Sequence, residues 1–95
     1  MRVYLAADVA ALRSLREGGS VTLPAFLAAS DDELDEFEAL SSAAGGGVAV
    51  AAEVDREDQP VTMRDVQALH VDVDGTGDLA WFATQEIDDV LELLS

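Results

Sequence analysis

Asp72 and Asp74 are the residues of this sequence whose types and spacing come nearest to catalytic chemistry. They lie two positions apart in the segment VDVDGTGD, which begins at Val71 and ends at Asp78. Carboxylates can act as nucleophiles or supply oxygen ligands to a metal ion. The segment is therefore the first place to look for a functional site.

The same letters resemble the DxDGT motif that ends the first strand of haloacid-dehalogenase-type phosphatases. That resemblance implies that Asp72 attacks phosphorus and that Asp74 is the general acid. It also implies a whole α/β domain after the motif, a lysine that holds the phosphate, and a later acidic pair for Mg²⁺. Here only 19 residues follow Thr76, and the chain contains no lysine. Because a short motif carries function only in its structural context, we expect no catalytic residue in this chain.

Metal binding is the second chemistry that this segment suggests, with Asp72, Asp74 and Asp78 as weak candidate ligands and His70 beside them. A calcium loop counted from Asp72 places Ala83 where a bidentate glutamate is needed. On a strand, His70, Asp72 and Asp74 would share one face, which could collect a divalent ion weakly. The simpler interpretation is a solvated polar face, so we expect no cofactor and no tightly bound metal.

The charge of the chain is strongly acidic and unevenly placed. Twenty acids face five bases, all arginine, for a net charge of −15. Residues 1–30 carry a net charge of +1, whereas residues 31–95 carry −16. Codon bias in a GC-rich genome, a high-salt cytoplasm and a binding role all remain open as causes. Direct nucleic-acid binding is disfavoured because phosphate contacts need clustered cations, although an acidic mimic of nucleic acid could occupy a basic protein's cleft.

Composition also limits the compartment and the size of the core. With 95 residues the chain is long enough for one domain, residues 1–95, and the absence of cysteine excludes disulfides and thiolate sites. The N-terminal segment has no long apolar stretch, and no apolar run approaches the length of a membrane span. We therefore expect a cytoplasmic protein that does not bind membranes.

Hydrophobic periodicity predicts strands at residues 2–6, 48–54, 68–73 and 79–82. It predicts a helix over residues 9–17 capped by Asp8, and a helix from a Ser30-Asp31-Asp32-Glu33 capping box to about Ala43. The apolar stripe of this second helix comprises Leu34, Phe37, Leu40 and Ala44. A closing helix capped by Thr84 buries Ile87, Val90, Leu91 and Leu94.

Two short segments have weaker signals. Residues 20–30 favour a short helix that begins near Pro24, with an edge strand at residues 21–23 as the alternative. Residues 62–66 resemble one helical turn capped by Thr62, with Asp65 three positions on.

These elements predict a small α+β domain with a sheet of about four strands. The order is strand, helix, helix, three strands and a closing helix. If the first two strands are neighbours, the helical crossover makes them parallel, while the last two form an antiparallel hairpin. The sheet should therefore be mixed, with helices packed on it.

Several segments together resemble a known family. MRVYLAAD, DDELDEFEAL, VAVAAEVD, VQALHVDVD and LAWFATQEIDDVL are similar to a conserved-hypothetical family of small acidic actinobacterial proteins. Its members open with an MRVYLPAT-like segment and close with a WYATQE-like segment, and the resemblance covers most of the chain in order. It implies an actinobacterial cytosolic protein and implies no activity.

Trp81 is the strongest sign of an interaction surface. On a strand it points away from Phe82, so the two side chains cannot both face the same helix layer. Either a helix covers Trp81 as part of the core, or Trp81 borders a patch with Gln85 and Glu86 for a homodimer or a partner protein. We expect a non-catalytic interaction or regulatory module, with self-association as one form that the interaction can take. The alternative is a small metal- or phosphometabolite-binding enzyme that uses the turn from Asp72 to Asp78.

Overall fold

One antiparallel sheet with helices on both of its faces organises the chain in the computed structural model, which describes residues 1–28, 30 and 32–94. The strands are β1 (Arg2–Ala7), β2 (Ser20–Val21), β3 (Ala25–Phe26), β4 (Val48–Glu53), β5 (Val61–Thr62), β6 (Val66–Asp72) and β7 (Leu79–Phe82). The α-helices are α1 (Val9–Arg16), α2 (Glu33–Ala43) and α3 (Ile87–Leu94), with short 3₁₀ turns at Ala44–Gly46 and Thr84–Glu86. The predicted α+β class is confirmed.

The sheet has the order β3-β1-β4-β6-β7, and every neighbouring pair in it is antiparallel. The prediction of a mixed sheet with parallel first and second strands is therefore wrong. The reason is β3, which pairs antiparallel with β1 and reverses the chain before α2 begins. Helix α2 then joins β3 to β4, which lie on either side of β1, so the helical crossover links this separated pair instead of β1 and β4.

The segment that contains β3 shows why the predicted helix near Pro24 does not form. The Pro24 carbonyl accepts a hydrogen bond from the Ala6 backbone at 3.0 Å, and Phe26 pairs with Tyr4. This pairing satisfies backbone groups of β1 that would otherwise lie unpaired at the sheet edge. The alternative edge strand is partly correct, since Ser20–Val21 pairs with β5.

The helical turn predicted over residues 62–66 is a strand followed by a tight turn. Thr62 belongs to β5, and the Asp65 carboxylate accepts hydrogen bonds from the Thr62 backbone at 3.0 Å and from its hydroxyl at 3.3 Å. The Thr62–Asp65 pairing that suggested a cap therefore stabilises a turn between β5 and β6.

The main core lies between one sheet face and helices α1 and α3. Helix α1 begins after Asp8, whose carboxylate accepts a hydrogen bond from the Ala11 backbone at 2.8 Å, as predicted. The fully or almost fully buried side chains of this core are Val3, Leu5, Leu12, Leu15, Val48, Val50, Val61, Leu69, Val71 and Val90.

The opposite face, called here the α2 face, packs mainly through alanine. Its buried residues are Tyr4, Ala39, Ala43, Ala44, Ala49, Ala51 and Ala68. The predicted stripe of α2 is therefore wrong in part, because Leu34 and Phe37 are 63% and 57% exposed. Small residues on both sides let the helix approach the sheet closely. Leu40 packs against this cluster, whereas Leu34 and Phe37 lie outside it.

The start of α2 differs from the prediction, whereas its end at Ala43 agrees with it. The cap is Asp32, which accepts a hydrogen bond from the Leu34 backbone at 2.8 Å, and not the predicted box that starts at Ser30. The Ser30 hydroxyl instead bonds the Asp32 backbone and the Asp35 carboxylate, and Asp31 lies outside the described residues. The helical segment ends at Gly47, whose φ of 108° favours glycine.

Thr84 was predicted to cap the closing helix and does not. Its hydroxyl donates to the Val66 carbonyl at 3.1 Å and so fastens the start of the 3₁₀ turn to β6. The Ala83 backbone N–H donates to the Glu86 carboxylate at 2.9 Å, so this carboxylate is hydrogen-bonded within its own 3₁₀ turn. In the part of the chain that the structure describes, no helix has the length and apolar character needed to cross a bilayer.

Candidate functional site

Trp81 is the largest exposed aromatic side chain on the α2 face. On β7 it pairs across from His70 of β6, whereas Phe82 pairs across from Leu69 and packs against the main core. The predicted opposition of Trp81 and Phe82 thus fits the register. Trp81 is 61% exposed, so the interpretation in which a helix covers it as core does not describe this structure.

The exposure of Trp81 has a cause in the position of α2. This helix packs on β1, β3 and β4, at one side of the sheet, and leaves β6 and β7 less covered. Where the helix stops covering the sheet, an open groove of about 280 Å³ remains, which we call the aromatic groove. It is lined by Arg2, Tyr4, Glu33, Glu36, Phe37, Leu40, Ala51, Ala68, His70 and Trp81.

Three aromatic side chains line this groove, and two of them, from different elements, are exposed, whereas Tyr4 is buried. Phe37 comes from α2 and Trp81 from β7, and both are more than half exposed. Ala51 and Ala68, which are almost fully buried, contribute the small side chains of the sheet surface. An exposed aromatic pair in a concave site is the kind of surface on which a partner side chain can pack.

A second hollow of about 320 Å³ adjoins the aromatic groove. The two share Arg2, Tyr4 and Glu36, and the second continues past Met1 and Leu27 toward β3. A bound segment could therefore extend from Trp81 on the β7 side across the sheet toward its other edge.

The charges that line the aromatic groove are two glutamates and one arginine. Arg2 donates a hydrogen bond to Glu53 at 3.1 Å, and Glu53 also lies 3.7 Å from the N-terminal ammonium, so this carboxylate offsets the charge of Arg2 only in part. Among the described residues, no ion pair engages Glu33 or Glu36. The groove consequently presents uncompensated negative charge at its helical wall.

His70 lies half-buried in the same groove, opposite Trp81. Burial lowers the pKa of His70, and the positive charge of Arg2 lowers that pKa further. The imidazole is therefore neutral at pH 7 and adds no positive charge to the groove.

The lowered pKa of His70 predicts a specific pH dependence of stability. Because the folded-state pKa lies below the ordinary value of 6.5, the unfolded chain binds the proton more readily. The stability that neutral His70 contributes is fully present above pH 6.5 and is lost as the pH falls through the folded-state pKa. We expect the melting temperature of the wild type to fall relative to that of His70→Gln between about pH 7 and pH 5. If the melting temperatures of the two proteins changed equally with pH across this range, the lowered pKa of His70 would be contradicted.

The turn that carries the predicted metal ligands uses its carboxylates for local hydrogen bonds. Asp74 accepts from the Thr76 hydroxyl at 2.7 Å and from its backbone at 3.3 Å, and these bonds, the hydroxyl first, hold the pKa of Asp74 below its usual range. One oxygen of Asp72 accepts from the Gly77 backbone at 3.1 Å, while its other oxygen is buried without a hydrogen bond. Asp78 is exposed.

These ligand candidates do not converge. Within residues 1–28, 30 and 32–94, no group of three histidine, cysteine, aspartate or glutamate side chains is arranged to hold a metal ion. His70 and Asp72 do share the α2 face, but the strand ends at Asp72 and the chain turns before Asp74.

The predicted partner patch is only partly the observed groove. Trp81 lies in it, but Gln85 and Glu86 do not line it, and the Glu86 carboxylate is bonded to the Ala83 backbone. The sequence did not connect Trp81 with the residues that α2 contributes, above all Glu33, Glu36 and Phe37. The available signal was in the helix sequence ELDEFEALSSA, where Ala39 and Ala43 form a second small apolar surface beside the predicted stripe.

Comparison with known proteins adds no function. No family model, curated protein or solved structure matches this chain. The resemblance to small acidic actinobacterial proteins therefore stays a prediction.

Proposed function

We propose that this chain is a non-catalytic protein-interaction module that binds a positively charged segment of a partner protein in the aromatic groove. The observation that carries this proposal is the exposure of Trp81 and Phe37, at 61% and 57%, on the walls of one groove. Aromatic side chains are the commonest energetic anchors of protein interfaces, and exposing two of them together has a solvation cost that a partner removes.

The charge of the chain supports a basic partner over a second copy. Each copy carries a net charge of −15, so bringing two grooves together would oppose like charges. Because Glu33 and Glu36 line the groove, the repulsion between two copies would be strong where their grooves meet. A segment rich in arginine or lysine turns the same charge into attraction and faster association.

The alternative enzyme at the turn from Asp72 to Asp78 has weaker support. A nucleophilic or metal-binding carboxylate needs free oxygens directed at a shared point. The Asp74 carboxylate is bonded to Thr76, and one Asp72 oxygen is bonded to Gly77. Both bonds stabilise the turn itself.

A display selection tests the proposal directly. The folded chain is immobilised and a library of random peptides is selected against it, and the enriched peptides are then synthesised and their affinities measured. We expect peptides with net positive charge and at least one large apolar residue. Trp81→Ala and Phe37→Ala should each weaken binding by about tenfold or more, or about 1.4 kcal/mol.

Leu93→Ala is the matched control, because Leu93 is also exposed, at 51%, but belongs to α3 and does not line the groove. Far-UV circular dichroism verifies that each variant is folded. No enrichment, or affinities that Trp81→Ala leaves unchanged, would overturn the proposal. Concentration-dependent dimerisation in sedimentation that is lost in Trp81→Ala would replace the basic partner with a second copy.

A further inference from the structure

We infer that the aromatic groove recognises an arginine side chain, with the guanidinium packed on the ring face of Trp81 and countered by Glu33 and Glu36. The inference rests on the proposed function and names the chemical group that the partner must present. It is drawn from the combination of aromatic and acidic side chains that line one groove.

The aromatic walls supply the first half of this recognition. A cation is attracted to the electron-rich face of an aromatic ring, most strongly that of tryptophan. Trp81 and Phe37 both line the groove and are both more than half exposed, so their side chains are accessible to such a group. Guanidinium is planar and more weakly hydrated than an ammonium group, and it therefore stacks on a ring at lower cost in lost hydration.

The carboxylates supply the second half. Glu33 and Glu36 are three positions apart on α2, which places them on neighbouring parts of one helix face. Both line the groove beside Phe37. The five donors of a guanidinium form a rigid fork that can hydrogen-bond a carboxylate while its plane rests on an aromatic ring.

Two groups of the groove would oppose a cation, and both are offset. Arg2 donates a hydrogen bond to Glu53 at 3.1 Å, which offsets its charge in part, and Glu33 and Glu36 outnumber it in the groove. His70 is half-buried, and burial with the charge of Arg2 lowers its pKa, so the ring is neutral at pH 7. The net charge of the remaining groove is negative, which suits one arginine.

The test measures the fluorescence of Trp81, the single tryptophan of the chain, during titration with two peptides. The probe is acetyl-Leu-Arg-Leu-Arg-Leu-amide, and its counterpart carries citrulline, which keeps the shape and loses the charge, in place of both arginines. We expect the arginine peptide to bind at least tenfold more tightly than the citrulline peptide. A lysine version should bind with intermediate affinity.

The carboxylate roles are tested by the double variant Glu33→Gln/Glu36→Gln, which should reduce the preference for arginine over citrulline to less than threefold. The control is Glu38→Gln/Glu92→Gln, which removes the same charge at exposed positions that do not line the groove. Equal loss in both double variants would mean that the net charge of the protein, and not the groove, attracts the peptide, and would overturn the inference.

The remaining outcomes separate the inference from the function on which it rests. Because Trp81→Ala lacks the fluorophore, its binding is measured by isothermal titration calorimetry. Equal affinity of the wild type for the arginine and citrulline peptides, with both affinities lost in Trp81→Ala, overturns the inference and leaves the groove as an apolar docking site. Equal affinity for the arginine and lysine peptides would mean that simple charge attraction, and not guanidinium stacking, accounts for binding, and would overturn the inference. If neither peptide binds, the inference fails, and the display selection alone decides the proposed function.

Discussion

The free energy of unfolding of the Leu69→Ala variant is expected to be about 2–5 kcal/mol lower than that of the wild type. Leu69 is fully buried on β6, where it pairs across from Val50 on one side and Phe82 on the other. Truncation leaves a cavity at the centre of the sheet, in a core made mainly of valine and leucine whose close-packed side chains relax only partly into the space. Small domains are stable by about 5–15 kcal/mol, so this loss is a large fraction of the total. Urea denaturation followed by far-UV circular dichroism measures it.

The matched control for Leu69→Ala is the same substitution at Leu34, which is 63% exposed on α2. Loss of an exposed side chain leaves no cavity, so we expect a change within about 0.5 kcal/mol. If the two variants lost equal stability, the assignment of Leu34 to the surface would be wrong.

The melting temperature is expected to rise with salt concentration. The chain carries a net charge of −15, and its ion pairs, such as Arg16 with Asp88 at 3.2 Å, lie at exposed positions where they contribute little. Raising the salt from about 0.1 M to about 1 M shortens the screening length from about 10 Å to about 3 Å and relieves the repulsion among the acids. Each kcal/mol relieved should raise the melting temperature by about 4–8 °C in a domain of this size.

A charge-deleted variant tests the cause of this salt effect. Glu38→Gln/Glu92→Gln removes two exposed acids, and Glu92 lies near the C-terminal end of α3, where a negative charge is unfavourable. The variant should melt at a higher temperature than the wild type in low salt and should respond less to added KCl or NaCl. If the melting temperature of the wild type stayed constant or fell as salt was added, attractive ion pairs would dominate the electrostatics of the folded chain.

Periodicity was sufficient for the long elements. Strands β1, β4, β6 and β7 and helix α1 lie within two residues of their predicted ends, because each has an apolar pattern that a single sheet or helix face must bury. The two-residue strands β2, β3 and β5 have no such pattern. They form because a neighbouring strand offers backbone partners, and that proximity depends on the tertiary structure. Because β3 was not predicted, the direction of β4 relative to β1 was also predicted wrongly.

The candidate site was predictable only on its sheet side. Strand parity predicted that Trp81 and Phe82 face opposite layers, because residue spacing alone determines that property. Phe37 could not be placed in the same way, since α2 offers two apolar surfaces and the helix buries the alanine surface that includes Ala39 and Ala43. Which surface a helix buries depends on the shape of the sheet beneath it, and the sequence of the helix does not contain that shape.

The position of β1 between β3 and β4 has a consequence for the order of folding. Its pairing of Tyr4 with Ala51 joins residues far apart in the chain, whereas β6 and β7 meet across a short turn between Asp72 and Leu79. Closing a long loop costs more conformational entropy than closing a short one, and distant contacts slow folding. During synthesis β1 emerges first but must wait for β4 before its second edge is paired. Strand β1, although it precedes the other strands of the sheet in the chain, is therefore expected to complete its pairing late in folding.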